Sequence, residues 1–476
     1  TQSDIAEETN GTGMVGDTIL TSTGTKLDNI GVVDIAADGT IDATTISMED
    51  VNATEGFTPD QAIVDRVAEI NDQIEEELGV VIGSSEVDLN GVKEEVRAGE
   101  TNLGDLVADA MLWRAGLDNE NVVAAITNGG GIRASIAAGD ITKKSVNNVL
   151  PFTNTLYVVE VTGAELLEAL EASTFCTPEP VGGFPQVAGI EFTINTGAAY
   201  DAGETYPDST YAGPNSINRV TILTVGGQAF DVDATYTIVT NDFLAAGGDT
   251  YYAFKAAESG YDTGILLDQV VMDYITEELD GTVTAAAYGQ TANRIHTISY
   301  NDVVAGDWFA EAVNYVTLTG RMNGTGEGFS PNINLTRAQM ATVLYRMAGE
   351  PEGTIENPFS DVADGQWYTD AVVWAAETGI TVGTSENTFN PNDNVTREQM
   401  ATFLYRFAEY ESLDPIEVTG DLSAFPDANE VAGFATEAMT WAVGQKIIAG
   451  VDGNLAPDGT ATRAQVATVL MRYTVE

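Results

Sequence analysis

The last third of the chain repeats itself three times, and that repeat limits the possible folds more than any other feature. Thr336-Arg337-Ala338-Gln339, Thr396-Arg397-Glu398-Gln399 and Thr462-Arg463-Ala464-Gln465 each begin five positions after a proline, Pro331, Pro391 or Pro457. Each arginine stands 29 or 30 positions after an aromatic residue, Trp308, Trp367 or Phe434, and Asp302, Asp361 and Asp427 precede those aromatics. In the middle copy, residues 371–376 read as one helix and 379–394 as a Gly-bearing loop. Thr396 then caps a second helix whose apolar side is Met400, Phe403, Leu404 and Phe407. One such helix pair cannot bury its apolar side alone, so the three copies are expected to pack together.

Upstream, the apolar run Val122-Val123-Ala124-Ala125-Ile126-Thr127 reads as a buried strand that delivers Asn128-Gly129-Gly130-Gly131-Ile132-Arg133. Consecutive glycines expose backbone N–H groups, and an arginine two positions on can fork onto a phosphate or carboxylate, so this stretch reads as an anion cradle. A tight turn with a surface arginine is the plainer alternative. A second strand, residues 236–240, delivers another Gly-bearing loop, residues 241–249. Here the overall charge matters. Asp and Glu number 73 against 19 Lys and Arg, a formal charge of -54. Such a field disfavours nucleic acids and anionic membrane surfaces as partners, so an arginine committed to an anion pocket is all the more telling.

At the front, residues 18–48 alternate as short antiparallel strands, with Ala37-Asp38-Gly39 as a hairpin turn. Thr58 as N-cap, Pro59 at the first helical position and Gln61 as the capping-box partner predict a helix over 59–78, carrying Ile63, Val67, Ile70, Ile74 and Leu78 at helical spacing. Cys176 is the only cysteine and His296 the only histidine, which excludes an intrachain disulfide and any site built on paired imidazoles. No apolar run is long enough to span a bilayer, and Thr1-Gln2-Ser3-Asp4 has no leader-like character. The expectation is a chain that is either cytosolic or already processed, with no metal site of its own.

Taken in order, Glu100-Thr101-Asn102-Leu103-Gly104-Asp105-Leu106, residues 128–133, Leu150-Pro151-Phe152, residues 183–190 and residues 241–249 resemble the C-terminal domain of the 5'-nucleotidase family over about 84–298. The resemblance implies a nucleotide- or nucleoside-binding domain of mixed α and β structure. Phe152 and Phe243 would sandwich a base, and Arg133 with Arg97 would meet phosphate or sugar oxygens. Asn128 and Asp249 would meet sugar hydroxyls, Asn154 a base edge, and Gly130 would lie in the ligand loop; the phenylalanines as core residues are the alternative. In that family a preceding domain holds two divalent metal ions. This chain has no histidine before His296, so residues 1–57 are expected to be the β-rich tail of such a domain, 58–83 its connecting helix, and the whole a part of a longer precursor.

The triple repeat resembles S-layer homology domains, at 299–350, 357–412 and 423–476. That resemblance implies an all-α three-lobed unit binding secondary cell-wall polysaccharide, pyruvylated in many cases, outside a bacterial cell. Arg337, Arg397 and Arg463 at helix N-termini are expected to meet the anionic ketal, with Trp308 and Trp367 packing on sugar faces near Asp302, Asp361 and Asp427. The alternative makes the tryptophans core and the arginines struts between repeats. The resulting fold class is multidomain: an α+β nucleotidase-type domain followed by the three-lobed unit. The expected function is wall-anchored, non-catalytic nucleotide recognition within a nucleotide phosphohydrolase. Its rival is a structural surface-layer or filament subunit that self-assembles, with Ca²⁺ held loosely between acidic surfaces.

Overall fold

A computed structural model describes residues 13–15, 18–23, 28–53, 58–326, 328–412 and 415–475. The reading of the first four residues therefore lies outside the described residues. The chain divides into two compact units, 1–79 and 80–476.

In the first unit, β1 (Asn29–Ile35) and β2 (Ile41–Ser47) form an antiparallel hairpin in unbroken register, Ile30 opposite Ile46 and Ile35 opposite Ile41. Gly39 takes φ +88° at its turn, and the Asp38 carboxylate accepts from the Thr40 N–H, as the turn residues predict. Helix α1 is Gln61–Leu78, two residues shorter than predicted, because Asp60 is the N-cap and accepts from Ala62 N and Ile63 N. Asp competes well with Thr for that position, and Pro59 lies just outside the helix.

The second unit opens with the mixed α and β domain in which the nucleotidase resemblance lies. Helix α2 (Asn102–Asp118), capped by Thr101, leads into β3 (Val122–Asn128). The chain continues through β4 (Thr155–Thr162), α3 (Gly163–Ser173), β5 (Pro185–Ala188), β6 (Ile190–Asn195), β7 (Val220–Val225), β8 (Thr235–Asn241), β9 (Ser259–Leu266) and β10 (Ile295–Ile298). One mixed sheet has the order β9-β4-β8-β3-β5. Alternation sorts its side chains between two cores: Val158 and Val239 face α2, while Val159, Val161 and Ile238 pack with α3 and Phe184. A second sheet places β6 between antiparallel β7 and parallel β10.

Strand direction matters most for the site. β3 and β8 are adjacent and parallel, so their C-terminal ends reach the same edge. β4 runs antiparallel to β8 with Leu156 opposite Asn241, and β5 antiparallel to β3 with Pro185 opposite Asn128. Four connections therefore emerge together: those after Asn128 and Asn241, and those before Thr155 and Pro185.

The repeats supply α4 (Ala310–Leu318), α5 (Arg337–Met347), α6 (Thr369–Glu377), α7 (Arg397–Glu411), α8 (Thr436–Gly444) and α9 (Arg463–Val475). Their packing crosses repeat boundaries: α5 pairs with α6, α7 with α8, and α9 returns to α4. At the centre, backbone hydrogen bonds close a ring, Leu335 N to Ala461 O, Ala461 N to Val395 O and Val395 N to Leu335 O, at 2.9–3.0 Å. All three side chains are fully buried in one core shared by the three copies. The first copy also joins the mixed α and β domain through buried Asn195, whose amide donates to Tyr300 O and Val303 O and accepts from Tyr300 N.

Candidate functional site

The four converging loops enclose a cleft of about 510 Å³. Arg97, Asn128, Gly130, Arg133, Phe152, Asn154, Phe243 and Asp249 all line it, joined by Gly131, Gly182 and Tyr211. The two phenylalanines are 53% and 44% exposed, so neither is a core residue. Phe243 lies over Gly248, where a Cβ would collide with its ring. The Arg133 guanidinium stands 5.6 Å from the Phe152 ring centre, and its Nη1 donates to Gly130 O at 3.2 Å.

Polar groups at the strand ends hold each other in place. Asn241 Nδ2 donates to Thr127 Oγ1 and Asn128 Oδ1, while Asn128 Nδ2 donates to Asp249 Oδ2 at 2.8 Å. Burial raises the Asp249 carboxyl above its usual range, opposed by the Asn128 hydrogen bond and the Arg97 charge. Arg97 is lowered by burial and by its like-charged neighbour Arg133. Its buried Nε has no hydrogen-bond partner among the described residues. Nor does any carboxylate lie within salt-bridge distance of Arg97 or Arg133 among those residues.

The glycine run works differently from the anion cradle expected of it. Gly129 N and Gly130 N donate to Phe184 O and Gly182 O at 2.8 and 2.7 Å, so these donors are already engaged. The glycines are needed for close approach: a Cβ on Gly129 would overlap the Val96 carbonyl, and one on Gly130 would press on Gly182. Sequence reasoning also missed Gln186. Its buried side chain donates to Val96 O and Gly99 O at 3.0 and 2.8 Å and accepts from Thr101 N, fixing the loop that carries Arg97. A strand glutamine carries no local signal of such a role. Tyr211, from a hairpin far along the chain, gave none either.

In the repeats the arginines take the alternative role of struts, while the tryptophans lie exposed rather than in the core. Arg337, Arg397 and Arg463 are 4–6% exposed, and their Nε groups donate at 2.8 Å to Phe389 O, Leu455 O and Phe329 O of the next copy around the ring. All three are thus struts rather than open ligand groups, and Arg463 Nη2 also donates to Asn323 O at 2.6 Å; at a helix N-terminus a guanidinium is accommodated by such carbonyls. Asp302, Asp361 and Asp427 are likewise committed, each accepting two backbone N–H bonds of 2.7–2.9 Å from its own loop. Trp308, Trp367 and Phe434 are 58–67% exposed and so are not core.

Their surroundings differ. Trp308 borders a hollow of about 340 Å³ with Leu167, Ile222 and Phe230 of the neighbouring domain and the acidic Asp307 and Glu311. Trp367 borders a groove of about 170 Å³ with Arg321, Arg346 and Arg463, where Arg321 and Arg346 continue into an adjoining 560 Å³ hollow. None of these three arginines has a carboxylate within salt-bridge distance among the described residues. Arg321 stands where the other copies have buried Ile380 and Ile447, a difference visible once the repeats are aligned.

Comparison with known proteins places these features. Residues 81–256 match the family model "5'-nucleotidase, C-terminal domain", and 299–341, 358–401 and 424–467 match "S-layer homology domain". The chain is similar to the trifunctional nucleotide phosphoesterase protein YfkN of Bacillus subtilis, 37% identical over 254 residues, 52% of this chain and 16% of that protein. A 5'-nucleotidase of Vibrio cholerae is 32% identical over 225 residues, 47% of this chain and 36% of that one. The chain therefore spans well under half of these relatives. A 5'-nucleotidase precursor structure from Thermus thermophilus is 31% identical with a TM-score of 0.43, covering 57% of this chain and 50% of the other. The chain carries a 5'-nucleotidase C-terminal domain followed by three S-layer homology domains.

Proposed function

We propose that this chain is the nucleotide-recognising and wall-anchoring part of a nucleotide phosphohydrolase held at a bacterial cell surface. The observation that carries this reading is the cleft, where two exposed aromatic faces meet two arginines that have no salt bridge among the described residues, in a chain of formal charge -54. A base stacks against Phe152 and Phe243, worth on the order of 1–3 kcal/mol per stacked base. Arg97 and Arg133 meet phosphate, Asp249 accepts from sugar hydroxyls, and Asn154 bonds a base edge.

The two metal ions expected of the family do not fit the residues present. His296, the only histidine, pairs with Glu191 at 2.9 Å, and no group of three or more His, Cys, Asp or Glu among the described residues is placed to hold a metal. Hydrolysis is accordingly assigned to the longer protein, and no step of it to these side chains.

Anchoring is assigned to the Trp367 groove. A sugar ring packs on the exposed indole while Arg321 and Arg346 take an anionic substituent such as a pyruvate ketal. Calorimetry with AMP and adenosine tests the recognition half: binding that Phe243→Ala and Arg133→Ala each weaken supports it. No binding at millimolar ligand refutes it and leaves a structural surface-layer subunit as the better reading. Pull-down on purified wall with and without chemical removal of pyruvate tests the anchor, and equal binding to both refutes the ketal assignment.

A further inference from the structure

Tyr211 lines the cleft beside Arg97, Asp249 and Gly182 yet belongs to none of the four strand-end loops. It sits at the end of a hairpin, Asp201–Thr205 against Ala212–Ser216, whose turn is closed by the Tyr206 N to Tyr211 O bond at 2.8 Å. That hairpin is fastened to the domain. Tyr206 Oη donates to Glu168 Oε1 on α3 at 2.9 Å, and the Tyr206 ring stacks on Tyr252 with centroids 5.0 Å apart. The Tyr211 ring in turn packs edge-on against Phe175 at 6.1 Å. Its position is thus set by two separate anchors, while its hydroxyl has no hydrogen-bond partner among the described residues.

We propose that Tyr211 donates its phenolic hydroxyl to the phosphate of a bound nucleotide, making it a residue that sets the preference for a nucleoside monophosphate over the bare nucleoside. The proposal rests on the reading of the cleft as a nucleotide site. Three features support it. Arg97, near enough for its charge to act on the Tyr211 phenol, draws an anion to that side of the cleft, and its buried Nε is a second donor with no hydrogen-bond partner among the described residues. Asp249, the carboxylate of the cleft, is already tied to Asn128 and suits sugar hydroxyls rather than phosphate. Burial, with the Asp249 charge adding, raises the phenol above its ordinary value, so it stays a donor at neutral pH.

Calorimetry on the full chain with AMP and adenosine, comparing wild type with Tyr211→Phe, separates the outcomes. The phenylalanine keeps the ring contact with Phe175 and removes only the hydroxyl. The expected result is AMP affinity lower by about ten- to a hundredfold, the scale of one hydrogen bond to a charged group, with adenosine affinity unchanged. Equal weakening of both ligands, or no change in either, overturns the role of Tyr211 while Phe243-dependent binding by wild type keeps the cleft reading intact. Failure of wild type to bind either ligand overturns both. An unchanged thermal unfolding curve for the variant confirms that the comparison is between folded proteins.

Discussion

Replacing Arg337 with alanine distinguishes a strut from a ligand contact in the repeats. Arg337 is 4% exposed, so its interactions need little discount for solvent. Its Nε donates to Phe389 O at 2.8 Å across the repeat boundary, and a hydrogen bond from a charged donor contributes about 1.5–3 kcal/mol. Its guanidinium also lies 4.8 Å from the Phe389 ring centre and 5.5 Å from that of Phe403, adding about 1–2 kcal/mol for cation–π contacts away from water. Truncation leaves the Phe389 carbonyl without this donor, so the expected loss is about 3–4 kcal/mol, seen in calorimetry as a fall of roughly 5–15 °C in the melting of the repeats. Arg337→Met should lose less, because filling the space with an apolar chain avoids the cost of burying a charge. Arg337 does not line the Trp367 groove, so wall binding by the folded variant should match wild type. Unchanged melting with lost wall binding would refute the strut and restore Arg337 as a ligand group.

Three other perturbations follow from the same geometry. Gln186→Ala removes three hydrogen bonds to residues 96–101; it should cost about 2–4 kcal/mol in denaturant unfolding and weaken AMP binding by displacing Arg97. Trp367→Ala should reduce wall retention severalfold whereas Trp308→Ala should not, because only Trp367 shares its groove with arginines; quantitative pull-down on purified wall compares them. Burial and the neighbouring Glu100 carboxylate push Asp105 up to about 7. Because the folded state then holds this proton more tightly than the unfolded chain, the group's contribution is fully present below the unfolded value near 3.8 and is lost as pH rises to about 7. Asp105→Asn should flatten that part of a stability-versus-pH curve measured by urea unfolding, and an unchanged slope would count against the assignment.

Much of this site is legible in the order of its motifs. A strand of small apolar residues ending in Asn128 and another ending in Asn241 announce two loops at strand termini, and parallel pairing puts both at one edge. What local pattern cannot show is which backbone groups are already used. Gly129 and Gly130 look like free donors until the 182–184 loop folds over them, and that contact joins residues more than 50 positions apart. The arginine of each repeat shows the same limit. A guanidinium at a helix N-terminus signals anion binding by itself, but the closed ring supplies a carbonyl from the next copy. Conversely, the exposed tryptophans could be separated from core residues only once α4, α6 and their neighbours had been placed, since an apolar residue beside a helix reads the same on either face.

Photoaffinity labelling tests the central claim most directly. Irradiation of the chain with 8-azidoadenosine, followed by peptide mapping, should place the label in the segments holding Phe152 and Phe243, and excess AMP should suppress it. Label spread over the surface, or concentrated in the repeats and indifferent to AMP, would contradict the account.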